Sequence, residues 1–94
     1  MFGHTVRQSF TLDKKKYVSN IFDFEAFCKI NDNHIKDENI SIYRCCKEAL
    51  EYMFEGTEAT DDILKKVSPA IMAKLCRKLW DMYLEAVKEA AKNE

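Results

Sequence analysis

The groups in this chain with chemistry to offer are four cysteines, Cys28, Cys45, Cys46 and Cys76, and two histidines, His4 and His34. A structural zinc site needs closely spaced ligand pairs, one pair answering another. Cys28 and His34 form a lone pair, and the adjacent Cys45 and Cys46 leave a helix in different directions, so no metal is expected. Neither histidine stands beside a nucleophile or a carboxylate pair, and both are read as solvated surface groups. The run NDNHIKDEN, residues 31–39, is read as a loop with the amides and carboxylates of a calcium site. It lacks the turn glycine and puts His34 and Lys36 where oxygen ligands belong. With only Gly3 and Gly56 present, a glycine-rich phosphate cradle is excluded. Lys14, Lys15 and Lys16 have no glycine-rich surroundings to make a phosphate site and belong at a solvated loop tip. The reading is a non-enzyme without a cofactor.

Charge narrows the partners. Fifteen basic and 16 acidic residues give a net charge of −1, which provides no broad basic footprint for nucleic acid and no polybasic membrane patch. Nowhere do 18 apolar residues run uninterrupted, and the N-terminus MFGHTVRQSF has no stretch of signal-peptide length. A soluble, cytoplasmic protein is expected, with its cysteines reduced and serving as small buried apolar groups. Ninety-four residues, 47% of them apolar, are enough for one modest core, so residues 1–94 are read as a single domain.

The hydrophobic period changes once along the chain. Val6, Phe10 and Leu12 fall on alternate positions with Gln8 between them, as on a strand, the polar stretch DKKK turns the chain, and YVSNIF resumes β-branched and aromatic character. Residues 5–22 therefore form a hairpin, and residues 23–92 the helical part. Asp23 is an N-cap with Phe22 and Phe27 placed as a hydrophobic staple, and Phe24, Phe27 and Cys28 share a face that would pin a short helix over the hairpin. A second helix from about Ile40 to Glu55 buries Ile42, Cys45, Cys46, Ala49, Leu50 and Met53, and Gly56 stops it. Thr60 caps a short helix begun by Asp61 and Asp62, and Ser68 with Pro69 opens a long last helix ending near Lys92. The fold class is α+β, mainly α: an N-terminal hairpin, then about four helices, the last long and amphipathic.

That last helix carries more apolar surface than a small domain uses. Lys74, Arg77, Lys78, Asp81, Glu85 and Lys88 make one polar stripe, while Met72, Cys76, Leu79, Tyr83, Ala86 and Ala90 follow the spacing of a helix–helix seam. Ile71, Leu75, Trp80, Leu84 and Val87 widen the apolar arc on both flanks. Either the rest of the chain surrounds this helix, or an apolar strip stays exposed and marks association. On the second reading Met72, Leu75, Leu79, Trp80, Tyr83, Leu84 and Val87 are the partner-binding residues, with Trp80 and Tyr83 as anchors. A DNA-reading helix is disfavoured, because its first turn would be Pro69–Ala73, which offers no polar group to base edges.

The stretch FTLDKKKYVSNIFDFEAFCKIND resembles the opening of tail assembly chaperones from long-tailed bacteriophages and prophages: a strand, a turn, a second strand and an FDF-A helix start. LEYMFEGTEATDDILKKVSP is similar to their middle segment, and the closing amphipathic helix is similar too, so the resemblance spans most of residues 5 to 90. It departs in the turn, which lacks the glycine often found there, and in residues 31–39, which have no clear counterpart. The resemblance implies a non-enzymatic protein that coats the helical tape measure protein and leaves as tail tube subunits polymerise. It also implies self-association, side by side and head to tail, with modest individual contacts. A small regulatory protein, binding DNA or inhibiting a host protein, is the alternative.

Overall fold

The computed structural model describes residues 6–92, so the hairpin's first residue, Thr5, and His4 lie outside the described residues. β1 (Arg7–Leu12) and β2 (Lys15–Ile21) pair antiparallel into a two-stranded sheet. The turn is only Asp13 and Lys14, and Lys15 and Lys16 already belong to β2 rather than to a loop tip. Both turn residues have positive φ, 51° and 68°. This is the geometry whose twist matches a tight hairpin, reached here without glycine. Between Arg7↔Ile21 and Ser9↔Val18, β2 carries one extra residue. This bulge shifts the alternation, so Tyr17, Ser19 and Phe22 point inward while Val18 and Ile21 stay exposed.

The bulge also frees the Gln8 N–H from its ladder partner, and the Ser19 hydroxyl accepts it at 2.7 Å. The same hydroxyl donates to the Asn20 carbonyl at 2.6 Å. Gln8 itself, read from the sequence only as a spacer between apolar residues, is buried, and its Nε2 donates to the Leu75 carbonyl at 2.9 Å. A buried amide without such a partner would cost about 1–3 kcal/mol, so this bond fixes where the hairpin lies on the last helix.

Four helices follow: α1 (Phe24–Lys36), α2 (Ile42–Phe54), α3 (Asp61–Lys66) and α4 (Pro69–Lys92). The Asp23 carboxylate accepts from the Ala26 N–H at 2.9 Å, as its N-cap position requires. α1 is longer than its sequence promised, because Asn31–Lys36 continue the helix and the loop begins only at Asp37. Asn33 explains part of this, since its Nδ2 donates to the Cys45 carbonyl of α2 and ties the polar last turn down. The buried face of α1 is Ala26 and Ile30, and it packs on α2 and α4 instead of the hairpin. Phe24 is 78% exposed, which corrects the face drawn from the aromatic residues.

In α2 the buried set is Cys45, Cys46, Ala49, Leu50, Met53 and Phe54, with Ile42 half-buried at its start. Ser41 caps it by accepting from the Arg44 N–H, and Gly56 follows its end at φ 75°, where a β-carbon is disfavoured. Thr60 occupies the N-cap position of α3, but its hydroxyl makes no capping bond; only its carbonyl accepts, from Leu64 N–H. Ser68 Oγ accepts from the Ile71 N–H and opens α4. The core gathers Phe10, Tyr17 and Phe22 of the hairpin segment, the α2 stripe, and Leu75, Cys76, Leu79 and Tyr83 of α4. No helix among the described residues is long and apolar enough to cross a membrane.

Candidate partner-binding face between the first and last helices

Burial separates the seven α4 residues singled out from the sequence into two groups. Leu75, Leu79 and Tyr83 are at most 5% exposed and belong to the core. They meet the other helices, so they are not free for a partner, and a continuous strip of all seven does not exist. Met72 and Trp80 are half-buried, while Leu84 and Val87 are each 41% exposed. The physical reason is that α2, α1 and β1 together cover one arc of α4, centred on Leu79, and leave the flank beyond Trp80 to solvent.

That flank continues onto α1 through a ladder of rings. Phe24 stacks on Phe27 with centroids 6.0 Å apart, and Phe27 lies 5.1 Å from Tyr83. Tyr83 lies 5.2 Å from Trp80, whose other neighbour is the edge of His34 at 5.4 Å. Each such pair adds about 0.5–1.5 kcal/mol to the burial of its rings, and the pairs that cross between helices, Phe27 with Tyr83 and His34 with Trp80, tie α1 to α4. Tyr83 also donates to Asn31 Oδ1 at 2.7 Å, and burial raises its phenol above the ordinary value. His34 is therefore a half-buried member of the α1–α4 contact, not a solvated loop residue.

Next to the ladder a gap opens between the start of α1 and the second half of α4. The gap is an apolar groove of about 420 Å³ lined by Ile21, Phe22, Asp23, Phe24, Phe27, Ala86 and Ala90. Phe22 and Phe27, placed as a staple by the sequence, both line it. The small Ala86 and Ala90 line its α4 side, and Phe24, largely exposed, lines its α1 side. Ile35, 70% exposed, extends the apolar surface along the outside of α1. None of these α1 positions was singled out as partner-binding from sequence. The sequence carries no local signal for them, because exposed Phe24 and half-buried Phe27 are the same residue type.

Three of the four thiols are buried in the core, away from this face. Cys45 donates to the Ile30 carbonyl at 3.4 Å and Cys76 to the Tyr43 carbonyl at 3.8 Å. Burial first, then the neighbouring Cys45 and Cys76, pushes the Cys46 thiol up to about 12, which keeps it protonated and unreactive. Cys28 is half-buried, and all four cysteines are free thiols. Among the described residues, no group of three or more His, Cys, Asp or Glu side chains converges on a metal-sized space. Compared with protein-family models, curated proteins and solved structures, the chain finds no match.

Proposed function

We propose that this chain is a non-enzymatic assembly chaperone that covers a helical partner, in the manner of the phage tail chaperones its sequence resembles. On this reading the partner is a tape measure protein, handed on to tail tube subunits. The observation that carries it is the apolar face made by Phe24, Leu84 and Val87 beside the α1–α4 groove. A helix laid along that face would place its own apolar stripe against these residues, in the way grooves take up amphipathic helices. The small Ala86 and Ala90 that line the groove admit close approach, and the Phe27–Tyr83 contact ties its α1 side to α4. The contact is small, which suits a protein that must be displaced, with strength coming from copies bound side by side.

Affinity capture with this chain from the lysate of its native phage or host, read by mass spectrometry, tests the proposal. Recovery of a long helical protein or a tail tube subunit supports it. Recovery of a host enzyme or of nucleic acid instead would replace it with the regulatory reading.

A further inference from the structure

The hairpin has a second feature, independent of the helix-binding reading. Leu12 and Lys15 close a two-residue turn and are therefore a hydrogen-bonded pair, and such pairs alternate along an antiparallel ladder. Phe10↔Tyr17 is the next one, so the main-chain groups of Arg7, Ser9 and Thr11 point away from β2. Two bonds fix this phase: the Val6 carbonyl accepts from Phe22 N–H at 2.9 Å, and Gln8 N–H donates to Ser19 Oγ at 2.7 Å. Among the described residues no side chain or loop bonds the main chain of Ser9 or Thr11.

Free edges are ordinarily blunted by lysine, proline, a bulge or a covering segment. The outer edge of β2 has three of these: Lys16 stands on it, the bulge lies in it, and Asn20 Nδ2 holds the Glu55 carbonyl across it at 2.9 Å. Lys15 adds an ion pair to Glu58 at 2.9 Å. β1, reading RQSFTL, has none of them among the described residues.

A groove of about 350 Å³ runs beside β1, lined by Val6, Arg7, Gln8, Ser9 and, from α4, Lys78, Asp81 and Met82. Lys78 and Asp81 are exposed and make no ion pair among the described residues. Opposite charges this close on one edge are self-complementary under a two-fold axis, because each copy offers the charge the other needs. We propose that β1 pairs antiparallel with β1 of a second copy, Ser9 opposite Ser9, joining two hairpins into one four-stranded sheet. Arg7 then lies opposite Thr11 of the second copy, so no like charges meet directly across the new ladder. Lys78 of each copy faces Asp81 of the other. The contact closes at two, unlike a head-to-tail array, which would need a further surface.

Sedimentation equilibrium over a concentration series tests the pairing with three chains. The natural chain gives a monomer–dimer equilibrium. Ser9→Pro removes one outward N–H per copy while leaving the ladder to β2 intact, and should raise the dissociation constant by at least about tenfold with unchanged circular dichroism. Lys78→Asp weakens the dimer, and Lys78→Asp combined with Asp81→Lys restores it. A natural chain that stays monomeric at about 200 µM overturns the proposal, leaving the edge to an extended segment of another protein. A dimer unaffected by Ser9→Pro, in a folded variant, also overturns it. If Ser9→Pro fails to fold, the charge pair decides: weakening and restoration support the pairing, and no change in either variant refutes it.

Discussion

Two leucines five residues apart on α4 should respond very differently to the same truncation. Leu79 has no exposed surface, whereas Leu84 is 41% exposed. Removing a fully buried leucine side chain loses its transfer energy and leaves a cavity, together about 3–5 kcal/mol. For a domain of this size that is a large share of a total on the order of 5–15 kcal/mol. At Leu84 only the covered part of the side chain is lost, about three-fifths of a transfer energy of roughly 2–3 kcal/mol. No closed cavity forms there, and neighbouring side chains relax into the space, so the expected cost is about 1–2 kcal/mol. Urea denaturation of Leu79→Ala and Leu84→Ala, with unchanged m-values, measures both. In thermal melts each kcal/mol lost should lower Tm by about 4–8 °C, so Leu79→Ala should melt well below Leu84→Ala. Equal costs at the two sites would mean that the core arc of α4 is misassigned and that Leu84 is no probe of binding.

Three further predictions concern the frame that carries the face. Lys14→Gly relieves a non-glycine residue at φ 68°, a strain of about 1–2 kcal/mol set against about 0.5–1 kcal/mol of added chain entropy, so stability rises slightly. Lys14→Ala, which keeps the strain and removes the charge, should give no gain in the same denaturation assay. The Tyr52 hydroxyl donates to Asp23 at 2.7 Å, and that bond, ahead of burial, pushes its phenol up to about 12 from 10.0. Its stabilising contribution is fully present below the unfolded value and is lost as pH rises from about 10 towards about 12. The stability difference between the natural chain and Tyr52→Phe should shrink across that window, and a flat difference would contradict the bond. A thiol reagent should modify half-buried Cys28 first and Cys46 last, and equal rates would contradict the burial of Cys46.

Much of the frame was legible because it is local. Asp23 and Ser68 announce helix starts by side chains that accept from N–H groups three residues on, whereas Ser41, which caps α2 in the same way, lies inside a helix the apolar pattern starts at Ile40. Gly56 marks the end of α2, and the α2 stripe is a period that only burial on one side produces. What was not legible depended on tertiary partners. Gln8 looked like a spacer because its acceptor, the Leu75 carbonyl, is 67 residues away. The polar run Asn31–Lys36 looked like a loop because the bonds and rings that hold it, Asn33 to Cys45 and His34 to Trp80, come from α2 and α4. The turn type was hidden because Asp13-Lys14 reaches positive φ without the glycine that signals it. On α4 the sequence located the excess apolar surface but not its direction, since Leu79 and Leu84 are the same residue type on different faces.

The most direct measurement is solubilisation of the helical protein recovered by affinity capture, co-expressed with the natural chain or with Leu84→Glu/Val87→Glu. Both positions are exposed, so the double variant should keep its fold by circular dichroism. The partner should stay soluble beside the natural chain and precipitate beside the variant. A folded variant that keeps the partner soluble as well as the natural chain would contradict the assignment of this face.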